Sequence, residues 1–397
     1  GHFSTRNLDE NGEWQNLMLK KNSAADISPT AGQMPRLLGL ALASKMYRNN
    51  SQLRDLSEFK NFSNEGNEVA FGTIGDASTS EGPFWETINA AGVLQVPMVM
   101  SIWDDGFGIS VPREFQTTKG SISEALAGMQ RTKEKPGYEI FVTKGWDYAD
   151  LCETYEKAVH LARTEHVPVL VHVIEVNQPQ GHSTSGSHER YKSEERLKWE
   201  IDFDCIQKFK EWILAFNVNG LVLASTEDLE IIQSEAKEKV RLAKTSAWKS
   251  FNDAIKIDYS TLLSILKILA DESPNGVFIT KEIEGLEKTI EPIRKDIVSL
   301  ARKVLRMVRA ENSPSKIRLS EWISGNIKEN FDRYSSHLHS ESAKSALKIE
   351  AISPEYDSEI TMEDGRIILR DNYRKLLEKF PELLVFGEDA GKIGGVN

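Results

Sequence analysis

In the first half of the chain, apolar residues fall into short unbroken runs separated by stretches of helical spacing. Residues 69–74 (VAFGTI) and 97–103 (PMVMSIW) read as strands buried on both faces, because a strand with one wet face would alternate. Residues 139–143 and 167–176 repeat that form. Helical spacing lies around them, in Leu37, Leu38, Ala41, Leu42 and Met46, and in Leu151, Tyr155, Ala158, Val159 and Ala162 behind the cap residues Asp147 to Asp150. A further helix starts near Ser80-Glu81-Gly82-Pro83, and another at Ser121. Strand, helix, strand in repetition predicts an α/β domain with a doubly wound parallel sheet.

Beyond that domain the pattern changes. Residues 194–214 form an amphipathic region rich in Lys and Glu that is expected to lead away from the sheet. Residues 225–242 predict a helix with a capping box at Ser225 and Asp228, closing a first domain of residues 1–245. In residues 246–358, Ile283, Leu286, Ile290, Ile293, Ile297, Leu300 and Val304 recur by threes and fours as a coiled-coil type seam. Pro292 interrupts it, so either the helix kinks or a second one begins. With the Ser-rich residues 335–345 after it, this part reads as a helical linker ending in a flexible connection. In residues 359–397 a helix opens from 367 and a strand at 383–389 ends in acids, a pattern that by itself means little.

Composition narrows the partners. The 397 residues carry a net charge of −11 without a large basic stretch, which argues against nucleic acid and anionic membranes. No apolar run is long enough to span a bilayer. Cys152 and Cys205 lack metal or redox spacing and read as reduced thiols of a cytoplasmic protein. Both ends read as cut, so the chain is expected to be part of a longer polypeptide.

The chemistry gathers where the strands end. Asp76 follows the first strand directly, and Asp104 and Asp105 follow the second. A parallel crossover returns in the same direction, so Asp76 and Asp105 are expected at one carboxyl edge, where open α/β sheets hold ligands. Gly75 frees the backbone, Ala77 and Ser78 add little bulk, and the following helix start offers free N–H groups, which makes a phosphate seat. Carboxylates repel a phosphate unless a hard cation lies between them. The set therefore implies Mg²⁺ bridging Asp76, Asp105 and a diphosphate. On this ground alone a Mg²⁺ phosphohydrolase, or a non-catalytic metal- and phosphate-binding domain, stays open. Among the histidines, His172 inside the fourth strand reads as a core residue paired to backbone, and His188 as surface. His182 lies in the loop after that strand, at the same edge as the acids.

The stretch from Gly75 to Ser110 resembles the thiamin diphosphate motif, a Gly-Asp-Gly followed one crossover later by an Asn pair. More narrowly it is similar to the first, decarboxylating component of the 2-oxo acid dehydrogenase complexes. Ser80-Glu81-Gly82 and Phe107-Gly108-Ile109-Ser110 fill slots of that family's motif, with Ala77 in place of the second Gly and Asp104-Asp105 in place of the Asn pair. The resemblance implies the thiamin diphosphate-binding fold. It implies Asp76, the Asp105 side chain and the Phe107 carbonyl as Mg²⁺ ligands, with Gly75, Ala77, Ser78 and Ile109 against the cofactor. It also implies that Thr30 holds the aminopyrimidine ring, with Ser28 and Gln33 as candidates for a structural K⁺. The loop Gln180-Gly181-His182-Ser183-Thr184-Ser185 resembles the family's His-Ser-x-Ser loop, which implies a catalytic His182 facing the reacting end of the cofactor.

The activity implied is oxidative decarboxylation of a 2-oxo acid with transfer of the acyl group to a lipoyl-bearing acyltransferase component. A transketolase-like enzyme would share Asp76 and Asp105 without needing the His182 loop. Residues 361–397 resemble the opening of the family's β-type chain, which implies that residues 359–397 are the truncated start of a second α/β domain and that α-type and β-type regions are fused and act as a homodimer. A β-type glutamate beyond Asn397 would start the cycle, so this chain alone is expected to be inactive.

Overall fold

The computed structural model describes residues 7–9, 11–21, 27, 29–182, 187–335, 342–343 and 345–387. The chain divides into two compact units, residues 1–223 together with 350–397, and residues 224–349.

The first unit is built on four parallel strands, β1 (Ala70–Gly75), β2 (Met98–Trp103), β5 (Glu139–Lys144) and β6 (Val169–Ile174). They are ordered β1-β2-β6-β5. The two-residue strands β3 (Phe107–Gly108) and β4 (Val111–Pro112) form an antiparallel hairpin after β2, and β7 (Asn217–Val218) pairs with β8 (Leu221–Val222). The helices of this unit begin with α1 (Met34–Asn49) and α2 (Ser51–Asp55), then α3 (Gly82–Leu94) and α4 (Ile122–Ala125). They continue with α5 (Tyr148–Glu165), α6 (Glu194–Asp202) and α7 (Cys205–Ala215).

Period two sorts the central strand between two cores. Met98, Met100 and Ile102 of β2 join Leu37 and Ala41 of α1 and Phe84, Ile88 and Ala91 of α3. Val99 points the other way, with Val169, Val171 and Val173 of β6 and Ala158 and Ala162 of α5. Both faces of the sheet are therefore covered, which is why the strands carry unbroken apolar runs. Close approach of α1 to β1 requires Gly72, where a Cβ would run into the Leu37 side chain. α3 opens with Pro83 in its first turn and ends with Gln95 in the left-handed region at φ 48°. α5 is capped by the Asp147 carboxylate, which accepts from the Asp150 N–H at 3.1 Å.

The second unit packs four helices: α8 (Thr226–Glu272), α9 (Gly276–Glu287), α10 (Arg294–Met307) and α11 (Pro314–Ser335). Its core is Leu262, Leu266, Leu269, Ile279, Ile297, Ala301, Val304 and Leu319, all fully buried. The expected domain edge near residue 245 falls inside α8, a single 47-residue helix that starts at the Ser225 capping box. No Gly or Pro interrupts residues 226–272, so the helix runs on until Ser273-Pro274, where the residue before proline leaves the helical region. Pro292 separates two helices rather than kinking one, and the Asp296 carboxylate accepts from the Ile293 N–H at 3.0 Å to start α10.

At the far end of the sequence, α12 (Gly365–Lys379) has no buried residue. The strand expected at 383–389 does not form over the described part. Leu384, Val385 and Phe386 are exposed, no other strand pairs with them among the described residues, and Glu388 and Asp389 lie outside those residues.

Candidate functional site

β1 and β2 pair in parallel register, Gly75 opposite Trp103, so Asp76 and Asp104 leave the sheet side by side at its carboxyl edge. The ladder continues past the strand ends, with the Asp76 N–H donating to the Trp103 carbonyl at 3.0 Å and the Asp104 N–H to the Val173 carbonyl at 2.9 Å. A cleft of about 810 Å³ opens above this edge. The residues expected for thiamin diphosphate, Mg²⁺ and catalysis all line it: Thr30, Gly75, Asp76, Ala77, Ser78, Asp105, Phe107, Ile109 and His182. Thr73, Glu81, Trp103, Gln116, Asn177 and Gln178 line it as well. No Lys or Arg is among its described lining residues. Of the candidates for K⁺, Ser28 lies outside the described residues, and the Gln33 amide donates to the Ile27 carbonyl without lining the cleft.

The three acids differ sharply in their surroundings. Asp76 is 5% exposed, its carbonyl accepts from the Thr79 N–H, and its Oδ2 is buried with no hydrogen-bond partner. Burial, with the Asp104 and Asp105 carboxylates beside it, pushes Asp76 up to about 7. Asp105 is also raised, chiefly by burial, although its Oδ1 accepts from the Phe107 N–H at 3.1 Å. Asp104 behaves in the opposite way. Burial would raise it, but the hydrogen bond from His172 and the charges of Arg113 and His172 outweigh burial and hold it below the usual carboxylate range.

Asp104 is thus an anchor. Its Oδ2 accepts from Arg113 Nη1 at 2.9 Å and lies 3.1 Å from His172 Nε2, while its Oδ1 accepts from the Gly106 N–H at 2.8 Å. His172 Nδ1 in turn meets the Ser123 hydroxyl at 2.9 Å. His172 is therefore a core histidine, but its partners are side chains and not backbone. The chain alone could not reveal this, because Ser123 and Asp104 come to it from other elements. Gly106 takes φ 83°, and its carbonyl accepts from the Arg113 N–H, so the turn that carries Asp105 and Phe107 is held from both sides. Gly108 fits tightly against the first turn: a Cβ there would meet the Gln116 side chain and lie 2.8 Å from the Ala77 Cβ.

A second support comes from α6, which the charge pattern placed away from the site. Arg196 Nη2 donates to the Asp105 carbonyl at 2.9 Å, and its Nε bonds Glu200 at 2.9 Å. Glu200, 6% exposed, also takes Lys192 Nζ at 2.7 Å, and Lys192 sits 5.5 Å from the Phe107 ring centroid. His188 belongs to this cluster and is not a surface residue: its side chain is 15% exposed and faces Glu200 at 3.6 Å. The signal in the sequence was Lys192, Arg196 and Glu200 at steps of four, which reads equally well as a solvated helix face. Among the described residues no group of three or more His, Cys, Asp or Glu is arranged as a metal cage. A cation here would rely on Asp76, Asp105, a backbone carbonyl and oxygens of a ligand.

Known proteins share part of this sequence. Residues 3–254 match the family model described as "Dehydrogenase E1 component". Among curated proteins, a 2-oxoisovalerate dehydrogenase subunit alpha 1, mitochondrial, of Arabidopsis thaliana is 25% identical over 56% of this chain and 41% of its own length. A pyruvate dehydrogenase E1 component subunit alpha of Staphylococcus epidermidis is 26% identical over 55% of this chain and 54% of its own. An Arabidopsis thaliana protein carrying the name 2-dehydropantoate 2-reductase is 26% identical over 55% of this chain and 60% of its own. The chain thus spans about half the length of the curated relatives it matches. Among solved structures a transketolase from Campylobacter jejuni aligns at a TM-score of 0.30 and 15% identity over 70% of this chain and 38% of that one, a likeness that decides nothing. With the family model covering well over half of its residues, the chain belongs to the dehydrogenase E1 component family.

Proposed function

We propose that this chain is the α-type part, joined to the start of a β-type part, of an enzyme that oxidatively decarboxylates a 2-oxo acid with thiamin diphosphate. One observation carries the reading: Asp76 and Asp105 share one rim, with Asp76 Oδ2 buried and unpartnered below a cleft that has no Lys or Arg among its described lining residues. An orphaned carboxylate oxygen in such a place fits a hard cation, and an anionic ligand there needs one. Asp76, the Asp105 side chain and the Phe107 carbonyl would hold Mg²⁺. The backbone around Gly75, Ala77 and Ser78 would seat the diphosphate, Ile109 would pack against the cofactor, Thr30 would meet its pyrimidine end, and Ser28 with Gln33 would take a structural K⁺.

When bound, the cofactor supplies an electron sink for loss of CO₂. The chain's own residues orient it and exclude water. His182, exposed and lining the cleft, would hold or pass a proton at the substrate oxygen as the acyl group moves to a lipoyl arm. A lipoyl-bearing acyltransferase component, a homodimer of the fused chain and a cytoplasmic location complete the proposal. The reductase name of one relative is disfavoured, because β1 turns into Gly75-Asp76-Ala77. A nicotinamide dinucleotide site asks for a glycine-rich turn on which no carboxylate faces the pyrophosphate.

The test is thermal unfolding with thiamin diphosphate, with Mg²⁺, and with both. Together at about 100 times the dissociation constant they should stabilise the chain by about 2.7 kcal/mol, and Asp76→Asn should abolish the effect. Stabilisation by neither, or phosphate release without thiamin, overturns the reading.

A further inference from the structure

The turn that carries Asp105 and Phe107 is tied mostly to its own neighbours in the chain. Asp105 Oδ1 accepts from the Phe107 N–H at 3.1 Å, Asp104 Oδ1 accepts from the Gly106 N–H at 2.8 Å, and the Gly106 carbonyl accepts from the Arg113 N–H. Phe107 and Gly108 pair with Pro112 and Val111 in the β3–β4 hairpin. Because the Asp105 side chain is bonded to the Phe107 N–H, any shift of the Asp105 backbone carries the carboxylate and residue 107 along together. The Asp105 carboxylate and the Phe107 carbonyl are two of the three groups that would hold a cation. Among the described residues, the hydrogen bond that reaches residues 105–107 from outside 104–113 comes from Arg196, whose Nη2 donates to the Asp105 carbonyl at 2.9 Å.

Arg196 is itself held in one pose. Its Nε bonds Glu200 Oε1 at 2.9 Å, and its guanidinium lies 4.5 Å from the Trp199 ring centroid and 5.7 Å from that of Phe107. A planar guanidinium sends one donor to the carboxylate and another to the carbonyl at a fixed angle, a fork that the point charge of a lysine lacks. α6 has other ties that keep it in place. Lys192 Nζ reaches the same Glu200 oxygen at 2.7 Å, and Asn177 Nδ2 donates to the Glu200 carbonyl at 3.1 Å and to the Phe203 carbonyl at 2.6 Å. Arg196 is not among the described residues that line the cleft, so it stands behind the turn. Its charge there would repel a cation, so what it gives the seat it gives through position.

We propose that Arg196 is a positioning residue for the cation seat: from α6 it pins the Asp105 carbonyl and thereby sets where the Asp105 carboxylate and the Phe107 carbonyl stand at the rim. This rests on the cofactor and cation reading given above.

The test reads cation affinity, not turnover. Mn²⁺ is titrated into the 397-residue chain at saturating thiamin diphosphate, and the free ion is followed by its electron paramagnetic resonance signal. Arg196→Met should weaken the apparent Mn²⁺ affinity about 10–100-fold, the usual effect of losing a group that orients a metal ligand. Charge alone predicts the opposite sign, since removing a base would tighten the site. Arg196→Lys keeps the charge without the fork and should fall with Arg196→Met. Ser193→Ala removes the α6 cap, whose hydroxyl accepts from the Arg196 N–H at 3.2 Å, without touching the turn, and should leave Mn²⁺ affinity unchanged. Unchanged circular dichroism without cofactor or cation separates a shifted turn from a lost fold. Binding as tight as or tighter than wild type in Arg196→Met, full affinity in Arg196→Lys, or an equal loss in Ser193→Ala overturns the proposal while the cofactor reading stands. An unaltered chain that takes up no Mn²⁺ with thiamin diphosphate overturns that reading and the proposal with it.

Discussion

Replacing His172 by Leu removes the buried group that faces Asp104 from β6 and leaves the carboxylate with Arg113 and the Gly106 N–H. Deleting a hydrogen-bond partner of a buried carboxylate costs about 1.5–3 kcal/mol, because the remaining charge is left in a medium that solvates it poorly. Two features of the site pull the value to the lower end. Arg113 stays at 2.9 Å, although at 44% exposure its attraction is partly screened, and Leu fills much of the imidazole volume so that little cavity opens. The expected loss is therefore about 2 kcal/mol. In a unit of this size that corresponds to a fall of about 4–8 °C in the unfolding midpoint. Urea unfolding at neutral pH, followed by circular dichroism, measures it. The dependence on acid gives an independent check. Asp104 is held low in the folded chain, so its contribution is present above the ordinary carboxylate range and is lost as pH falls through its folded value; that acid limb should flatten in the variant. A loss under about 1 kcal/mol would refute the anchor, since an ordinary surface contact would cost as much.

Two further outcomes follow from the same rim. Asp76 titrates near 7 when folded and near 3.8 when unfolded, so its burial costs stability above pH 7, and that cost is relieved as pH falls from 7 towards 3.8. Without divalent cation the unfolding midpoint should drop between pH 5 and pH 8, and Asp76→Asn should remove that drop; an unchanged profile in the variant would assign the dependence elsewhere. Gly108→Ala should force the β3–β4 hairpin away from Ala77 and Gln116, costing about 1–3 kcal/mol as an overpacked contact. Pairing it with Ala77→Gly should recover part of the loss, and simple additivity of the two changes, measured in the same urea assay, would show that they do not touch.

Much of the sheet was legible because its physics is local and repetitive. A strand buried on both faces must be apolar throughout, and a parallel crossover must bring its two ends to the same edge, so Asp76 and Asp105 could be placed on one rim from residues 69–105 alone. The capping box at Ser225 and Asp228 was equally visible, since both partners lie within one turn. Where α8 stops was less so, because no residue between 226 and 272 gives a negative signal and a helix without a breaker runs until packing or proline ends it. The strand expected at residues 383–389 failed for the complementary reason: an apolar run becomes a strand only where another strand offers its hydrogen bonds, and the described structure provides none.

What tertiary structure alone decided is which charge pairs with which. His172, Asp104, Arg113 and Ser123 come from four separate segments, and Arg196 meets Asp105 across ninety-one residues of chain. A sequence fixes the spacing of neighbours along one element, so caps, stripes and strand ends can be read from it. Whether a carboxylate finds a cation, another carboxylate or nothing depends on distances set by packing, and in a poorly solvating interior those distances separate the anchor Asp104 from Asp76, whose buried Oδ2 meets no partner.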